Sequence, residues 1–518
     1  MRKTAIFIIL LLLIQAAEVT VFAAEREAPE SYKLTSAGRY DMFINYVDGY
    51  SIFVDKGMTV DMSHSAVCAV LENDDKRIEI YKQDVSRIGR ASYINYSNKF
   101  LSNWIDHYWE FSDEQTIGHH NIHVTAWSRN KLSRIQNDKN HYVCVELSSG
   151  HYVYTIFIKA NAPVYDLGGY AYLVENFRLE PVAAPGSVKA SNQVNIQGRG
   201  WNDETRSFYN NYFGETASLT WGIFEPETAL FEYYRLEWYE EILDYEFPII
   251  LNYSEFQNTY KHPNLKQRLE TAYSYGKILE LTLQTTSTYD GGNMVYKILN
   301  GEYDEFLRDY AKVIADFGHP VLFRLGNEMN GDWCPYSSYH TSKDTVMFRE
   351  FYKYVYGFFE KSGANANTIW VWNPNGNSLP NFKWNSELMY YPGDEYVDVV
   401  GMTAYNTGTY YSNIGERWQE FYELYNNLYH RYCEYFGQPL MITEFASASL
   451  GGNKEEWVLH MFEDIKMFDR IKVAVWWDGC DWDEYGNVAR SYIMDETPAL
   501  LEIFKRNLKR DWRDGVFG

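Results

Sequence analysis

Val321-Leu322-Phe323-Arg324-Leu325-Gly326-Asn327-Glu328-Met329-Asn330-Gly331-Asp332-Trp333 is the stretch on which the reading of this chain turns. Its first five residues are apolar apart from Arg324, the pattern of a short strand buried on both faces. Two glycines, two amides, two carboxylates and an indole follow within eight residues. Parallel strands that end in such a cluster are where barrel enzymes carry their chemistry. Taken alone, the same letters also describe a polar loop after a strand, so the surrounding chain has to decide.

Working outward, seven more short apolar runs occupy residues 219–223, 247–251, 278–283, 368–373, 397–403, 440–444 and 471–477. Helical patterns sit between or after them at 231–243, 265–275, 303–317, 347–359, 418–435, 455–468 and 499–508. Only the run at 368–373 leads into a long polar connection instead. Eight alternating units in roughly 300 residues predict an α/β fold, a (β/α)8 TIM barrel. The alternative for such a rhythm is a doubly wound sheet, but no Gly-rich dinucleotide fingerprint follows any of the runs.

The first part of the chain has another texture. Met1-Arg2-Lys3 precedes an apolar stretch at 5–17 broken only by Gln15, and Val21-Phe22-Ala23 supplies small residues at a cleavage spacing. Residues 1–23 therefore read as a secretory signal peptide. The apolar core is short for a membrane span, a retained anchor being the alternative. The expected product is a secreted chain, free of the membrane after cleavage and acting as a monomer. Residues 24–40 read as an unstructured leader. From 40 to 180, short alternating strands at 50–54, 77–81, 120–126, 142–147 and 152–158, with a more helical stretch at 85–109, predict a small accessory domain. It is either α+β or a β-sandwich. Pro181-Val182-Ala183-Ala184-Pro185-Gly186-Ser187 opens a linker, 181–191, and the barrel domain is expected over 192–512.

Composition narrows the partners. The chain has 518 residues, 46% of them apolar, enough for large cores. Aromatic residues reach 18%, with 46 Tyr and 16 Trp, so many rings have to lie near the surface. Such rings suit sugars, whose C–H faces are apolar. The formal charge of -23 disfavours nucleic acid and anionic membranes as partners and favours a neutral or cationic substrate. Five cysteines match no zinc spacing and pair with no histidine as a thiol nucleophile, although a Cys334–Cys480 disulfide is conceivable. His119, His120 and His123 lack a carboxylate or thiol to complete a metal site. Asp481-Trp482-Asp483-Glu484-Tyr485-Gly486 begins like a calcium loop, but Tyr492 stands where the bidentate glutamate belongs. Ser207 and Ser218 sit in no nucleophile elbow. No metal and no cofactor are expected.

At the C-terminal ends of the predicted strands stand Glu328 on the fourth, Trp372, Asn373 and Asn375 on the fifth, Thr403, Tyr405 and Asn406 on the sixth, Glu444 on the seventh, and Trp476, Trp477 and Asp478 on the eighth. Two carboxylates facing each other across a barrel mouth suit cleavage of a glycosidic bond. One must be protonated to release the leaving oxygen, and the other must be ionised to meet the anomeric carbon. Trp333 and Trp372 are candidates for the apolar surround that keeps the first protonated. Arg324 and Tyr405 are candidate donors to the second, and Asn327 suits a sugar 2-hydroxyl.

These motifs carry a resemblance. Arg324 to Trp333, Val371-Trp372-Asn373-Pro374-Asn375, the segment from Tyr391 to Gly401 and Ile442-Thr443-Glu444-Phe445-Ala446 are together similar to glycoside hydrolase family 26, mainly endo-β-1,4-mannanases with some mixed-linkage glucanases and xylanases. The likeness covers about residues 195–510 and implies retaining hydrolysis of a polysaccharide. By it, Glu328 resembles the acid/base and Glu444 the nucleophile. Arg324 and Trp333 match the residues flanking the acid/base, and Tyr405 matches a tyrosine that hydrogen-bonds the nucleophile. Trp476 or Trp477 matches the tryptophan under the sugar. Asn327 stands where the family usually has His, which leaves the mechanism intact and mannan against glucan undecided. A non-catalytic glycan-binding barrel and a hydrolase of bacterial exopolysaccharide are the other readings.

Overall fold

The structure, a computed structural model, describes residues 30–256, 264–285 and 292–508. The signal peptide expected at 1–23 and the last residues of the predicted barrel domain lie outside the described residues. No described helix is long and apolar enough to cross a membrane.

The N-terminal module is a β-sandwich carrying two α-helices, Arg90–Ser97 and Leu167–Glu175. One sheet has four strands in the order β1 (Tyr32–Ala37), β2 (Tyr40–Asn45), β3 (Tyr50–Asp55) and β11 (Arg178–Leu179). The other has seven: β4 (Thr59–Asp61), β5 (Cys68–Glu72), β6 (Lys76–Asp84), β10 (Tyr152–Ala160), β9 (His141–Ser149), β8 (His120–Ser128) and β7 (Tyr108–Ile117), in that spatial order. The leader expected at 24–40 is overturned for β1, which pairs with β2 along its whole length. Five of its six residues are exposed, so no apolar alternation announced it.

Strand β10 explains how the layers stack. Tyr154, Ile156 and Ile158 point into the sandwich with Phe43, Ile52 and Val54, while Val153 and Phe157 join the core shared with the barrel. Successive side chains leave a strand on opposite faces. Both faces of the seven-stranded sheet are therefore covered, one by the small sheet and one by the barrel. On the barrel side Trp127 stacks on Tyr142 and Phe157 with centroids 5.3 and 5.7 Å apart. Buried charges cross the same boundary. Lys159 Nζ donates to Glu79 at 2.9 Å and to Asp344 at 2.6 Å, and Lys343 Nζ donates to Asn98 at 2.8 Å. Asp344 also caps the helix Thr345–Ser362 through the Val346 N–H. Removing one partner of such a buried pair costs about 3–5 kcal/mol.

Residues 181–191 carry no helix or strand, and they are pinned on both sides. Ala66 N–H donates to Ser187 O at 3.0 Å, and Ser191 N–H donates to Tyr435 O at 2.8 Å.

The barrel closes through β12 (Thr220–Phe224), β13 (Ile249–Glu255), β14 (Ile278–Gln284), β15 (Val321–Leu325), β16 (Thr368–Trp372), β17 (Val399–Thr403), β18 (Leu440–Phe445) and β19 (Ile471–Trp477), all parallel. Its interior is filled by Ile249, Leu251, Leu322, Ile369, Val371, Val399, Met441, Val473 and Val475. The helix Asp203–Phe213, which no periodicity marked, plugs the lower end with Phe208, Tyr209 and Phe213. Its neighbour Trp201 donates to Thr368 O, and Tyr209 to Asp398 O, both at strand beginnings. The outer helices cover the barrel with one apolar stripe each. In Asp304–Phe317 that stripe is Phe306, Leu307, Tyr310, Ala311 and Ile314, and the helix ends where Gly318 turns left-handed. After β16 come three 3-10 turns, in place of an α-helix, between Lys383 and Tyr396. A two-stranded hairpin, β20 (Cys480–Trp482) and β21 (Val488–Ser491), rises after β19. All five cysteines are free, so no Cys334–Cys480 disulfide exists.

Candidate active site

The end of β15 is a tight turn. Gly326 is left-handed at φ 59°, and a Cβ there would meet the Phe348 ring at 3.0 Å. Glu328 is itself left-handed at φ 53°, a conformation that costs a non-glycine residue about 1 kcal/mol or more and gathers at functional sites. Two amides lock the turn against the next loop. Asn330 Nδ2 donates to Asn375 O at 2.9 Å, and Asn375 N–H donates to Asn330 Oδ1 at 2.8 Å. This clamp aims Asn375 Nδ2 at Glu328 Oε1, 2.5 Å away. On the other side Trp333 Nε1 donates to Glu328 Oε2 at 3.2 Å. Gly331 lies under that indole, where a Cβ would come within 2.5 Å of the ring.

Glu444 sits near the end of β18, beside a register shift between β17 and β18. Its Oε2 accepts from Arg324 Nη2 at 3.0 Å and from the Tyr253 hydroxyl. Arg324 is fully buried, and its other donors are used as well. Nε reaches Thr282 Oγ1 at 2.7 Å, and Nη1 reaches Asn373 Oδ1 at 3.0 Å. Beneath it, Glu280 lies 3.3 Å from Nε inside the barrel. Burial works against the Arg324 charge, but the Glu444 and Glu280 carboxylates outweigh it and hold the guanidinium protonated.

The two mouth carboxyls thus live in different surroundings. Burial, reinforced by the charge of Glu444, raises Glu328 to about 7, while the Asn375 and Trp333 N–H groups pull the other way. Glu444 faces a guanidinium and a phenol, both donors. The Tyr253 hydroxyl is held well above its ordinary range, first by burial and then by the Glu444 charge, so it donates across the working pH range. Burial also lifts Glu280 to about 8, against the pull of Arg324. One carboxyl can give up a proton near neutrality, and the other is met by two hydrogen-bond donors. That is the division of labour which acid-assisted displacement at an acetal carbon requires.

The structure brings Arg324, Asn327, Glu328, Trp333, Tyr405, Glu444 and Trp477 to the barrel mouth and places two of the predicted residues elsewhere. Trp372 is buried behind β16, edge-on to Tyr391 and against Phe436, with the outer core. Trp476 is buried behind β19 among Phe445, Trp457 and Phe504, and its Nε1 donates to Tyr492 O. Strand alternation gives the reason: Val371 and Val475 fill the barrel interior, so their neighbours Trp372 and Trp476 point outward. Asn373 and Trp477 point back in. Trp477 stacks on Phe224 at 4.9 Å with an interplanar angle of 16°.

No hydrogen bond joins Tyr405 to Glu444. Tyr405 lies within electrostatic reach of both mouth carboxylates, packed 5.2 Å from Tyr492 and edge-on to Trp477. Tyr253 takes the hydroxyl position assigned to it. Tyr253 and Glu280 escaped the sequence reading because the predicted second strand stopped at residue 251 and because Glu280 stands in an apolar run with no motif about it. Asn327 has Oδ1 engaged by the Tyr336 hydroxyl at 3.2 Å, which leaves Nδ2 for a ligand.

Comparisons with known proteins bear on the barrel. Residues 277–439 match the family model described as Glycosyl hydrolase family 26. Endoglucanase H of Acetivibrio thermocellus is 32% identical over 243 residues, 46% of this chain and 25% of that protein. A mannan endo-1,4-beta-mannosidase of Bacillus subtilis is 32% identical over 143 residues, 27% of this chain and 35% of that protein. The matched stretches span about a quarter to a third of these curated relatives' own lengths. Among solved structures, a modular endo-beta-1,4-mannanase from Cellulomonas fimi aligns with a TM-score of 0.45 at 17% identity, covering 61% of this chain and 76% of that one.

Proposed function

We propose that this chain is a retaining glycoside hydrolase that cleaves a β-glycan inside the polymer, in the manner of an endo-β-1,4-mannanase, a reading supported by the match of residues 277–439 to the Glycosyl hydrolase family 26 model. The observation that carries the reading is the pair of mouth carboxyls in opposite surroundings, Glu328 half-buried with a raised pKa and Glu444 held by Arg324 and Tyr253.

In the first step Glu444 attacks the anomeric carbon while Glu328 gives its proton to the departing glycosidic oxygen. Glu328, now ionised, takes a proton from water, and that water displaces Glu444 from the sugar. The configuration at the anomeric carbon is inverted twice and so retained. Arg324 and Tyr253 steady the Glu444 anion before attack and receive it again as it leaves. Trp477, stacked on Phe224, offers a ring face to a sugar, and Asn327 Nδ2 suits its 2-hydroxyl. An amide bonds an axial or an equatorial hydroxyl equally well. The relatives named for glucan and for mannan chemistry both match this chain, so a mixed-linkage β-glucanase or exopolysaccharide hydrolase is the second reading. Export through residues 1–23 and action as a monomer belong to the same proposal.

The test is a screen of the purified chain on galactomannan, mixed-linkage glucan, xylan and bacterial exopolysaccharides, with products read by size. Glu328→Ala and Glu444→Ala should each abolish hydrolysis while binding survives, and azide should rescue Glu444→Ala with an inverted glycosyl azide. Full activity in either variant refutes the assignment. Tight binding with no new reducing ends on any polymer would make the barrel a glycan-binding protein instead.

A further inference from the structure

We propose that Trp104 and Trp109 of the N-terminal module form a distal binding site for the same polysaccharide chain that enters the barrel mouth. The inference rests on the glycan-hydrolase reading of the barrel and extends it to residues outside the matched family segment.

The module touches the mouth at several points. From the helix Arg90–Ser97, the Tyr96 hydroxyl donates to Asp332 Oδ2 at 2.5 Å, and Asp332 precedes the tryptophan that bonds Glu328. Ser97 Oγ accepts from Trp384 Nε1 at 3.0 Å, in the connection after β16. Asp106 Oδ2 accepts from the Asn293 N–H at 2.7 Å, after β14, and Asn293 Nδ2 donates in turn to Pro335 O, two residues beyond Trp333. A Cβ on Gly292 would come within 2.5 Å of Asp106 Oδ1 and 3.6 Å of Ile105, so this segment lies directly on the loop end. Ile105 and Asp106 therefore border the rim on the β14 side, one contact removed from the loop that carries Trp333, and Trp104 and Trp109 flank them in sequence.

Among the described residues, this segment carries the most open aromatic side chains of the module. Trp104 is 78% and Trp109 60% exposed, and Ile105 and Tyr108 between them are exposed too. Trp109 stands opposite Trp127 in the β7–β8 register, and Trp127 packs in the core shared with the barrel. Paired residues share a sheet face, so Trp109 lies on the barrel-facing side, on the outermost strand of its sheet. Two indoles left open beside a catalytic cleft mark a binding surface. Their apolar faces match the uncharged C–H face of a β-linked sugar, and their segment joins, through Asp106 and Asn293, the loops that border the barrel mouth. The proposed site lies apart from the two mouth carboxyls, so it should matter for a polymer and not for a small glycoside.

The experiment compares the wild type with Trp104→Ala, Trp109→Ala and Trp238→Ala, the last a control on an exposed indole of the outer helix Tyr234–Leu243. Rates are read on the polysaccharide the enzyme cleaves fastest and on an aryl glycoside of the same sugar. An aromatic contact of about 0.5–1.5 kcal/mol predicts a KM on polymer roughly two- to tenfold higher in either rim variant. The kcat, the aryl glycoside kinetics and the control should not change. An unchanged KM on polymer overturns the site, as does a dimer in gel filtration that Trp104→Ala dissociates, since the patch would then serve self-association. If the wild type cleaves no polymer, the reading of the barrel fails. Affinity electrophoresis in gels cast with the same four polysaccharides then decides the surface alone: retardation that both rim variants lose supports it, and equal mobility refutes it.

Discussion

Replacing Asn375 by alanine tests the site reading at its acid/base. Asn375 Nδ2 lies 2.5 Å from Glu328 Oε1 and stabilises the ionised carboxylate, as Trp333 Nε1 does from 3.2 Å. Both pull Glu328 down from where burial and Glu444 would set it, and the result is about 7. A hydrogen bond to a charged group contributes about 1.5–3 kcal/mol, and one pKa unit is about 1.36 kcal/mol, so full loss would raise Glu328 by one to two units. Glu328 is only part-buried, and water replaces some of the lost donor, so the expected rise is about one unit. The sign follows from the role. Glu328 must be protonated to begin the reaction, so the alkaline limb of kcat/KM should move from near 7 toward 8 in Asn375→Ala. Trp333→Phe keeps the ring and removes the longer hydrogen bond, so it should move the limb in the same direction by less than half as much. The assay is kcat/KM on a soluble glycan from roughly pH 4 to 10, which reports the free enzyme. An alkaline limb that stays in place or moves down in Asn375→Ala, or moves further in Trp333→Phe, refutes the assignment of Glu328 as the proton donor.

Tyr253→Phe removes a donor from Glu444 and should lower kcat by about ten- to a hundredfold with KM little changed, while a wild-type kcat would take Tyr253 out of the mechanism. Glu280 is raised from 4.5 to about 8 on folding, so the native state holds the extra proton between those values. Its contribution to stability is complete below about pH 4.5 and declines as pH rises toward 8. Glu280→Gln should therefore flatten the fall in melting temperature between pH 5 and 8, and an unaltered slope would show that Glu280 does not titrate there. Lys159→Met leaves Glu79 and Asp344 buried without their shared cation and should cost about 3–5 kcal/mol in denaturant unfolding, whereas a loss below about 1 kcal/mol would mean that the contact carries little of the interface.

Most of the barrel was legible because its strands are short apolar runs separated by helical periods, and the strand at Val321–Leu325 ends where the run ends. The two mouth glutamates were legible for a related reason: each stands alone at the close of such a run. What escaped was orientation. Trp372, Trp476 and Trp477 are equal as letters, and only the alternation set by Val371 and Val475 in the barrel interior separates the inward ring from the outward ones. Tyr253 was hidden because Asn252, Tyr253 and Ser254 interrupt the apolar pattern of β13, although the strand continues through them to Glu255. The module reads as many short strands whichever way they stack, and sandwich against α+β is decided by long-range pairing that no local pattern records.

The seven-stranded sheet has a consequence for how this molecule can be divided. A binding module on a flexible tether is a cassette, moved between enzymes without harm to either part. Here the sheet is the shared middle of the molecule, with Val153, Phe157 and Lys159 turned to the barrel and Tyr154, Ile156 and Ile158 to the small sheet. Cutting at residues 181–191 would strip the cover from an aromatic surface studded with charges, on both halves at once. The expected calorimetric trace is a single endotherm, and the halves expressed apart should aggregate unless supplied together.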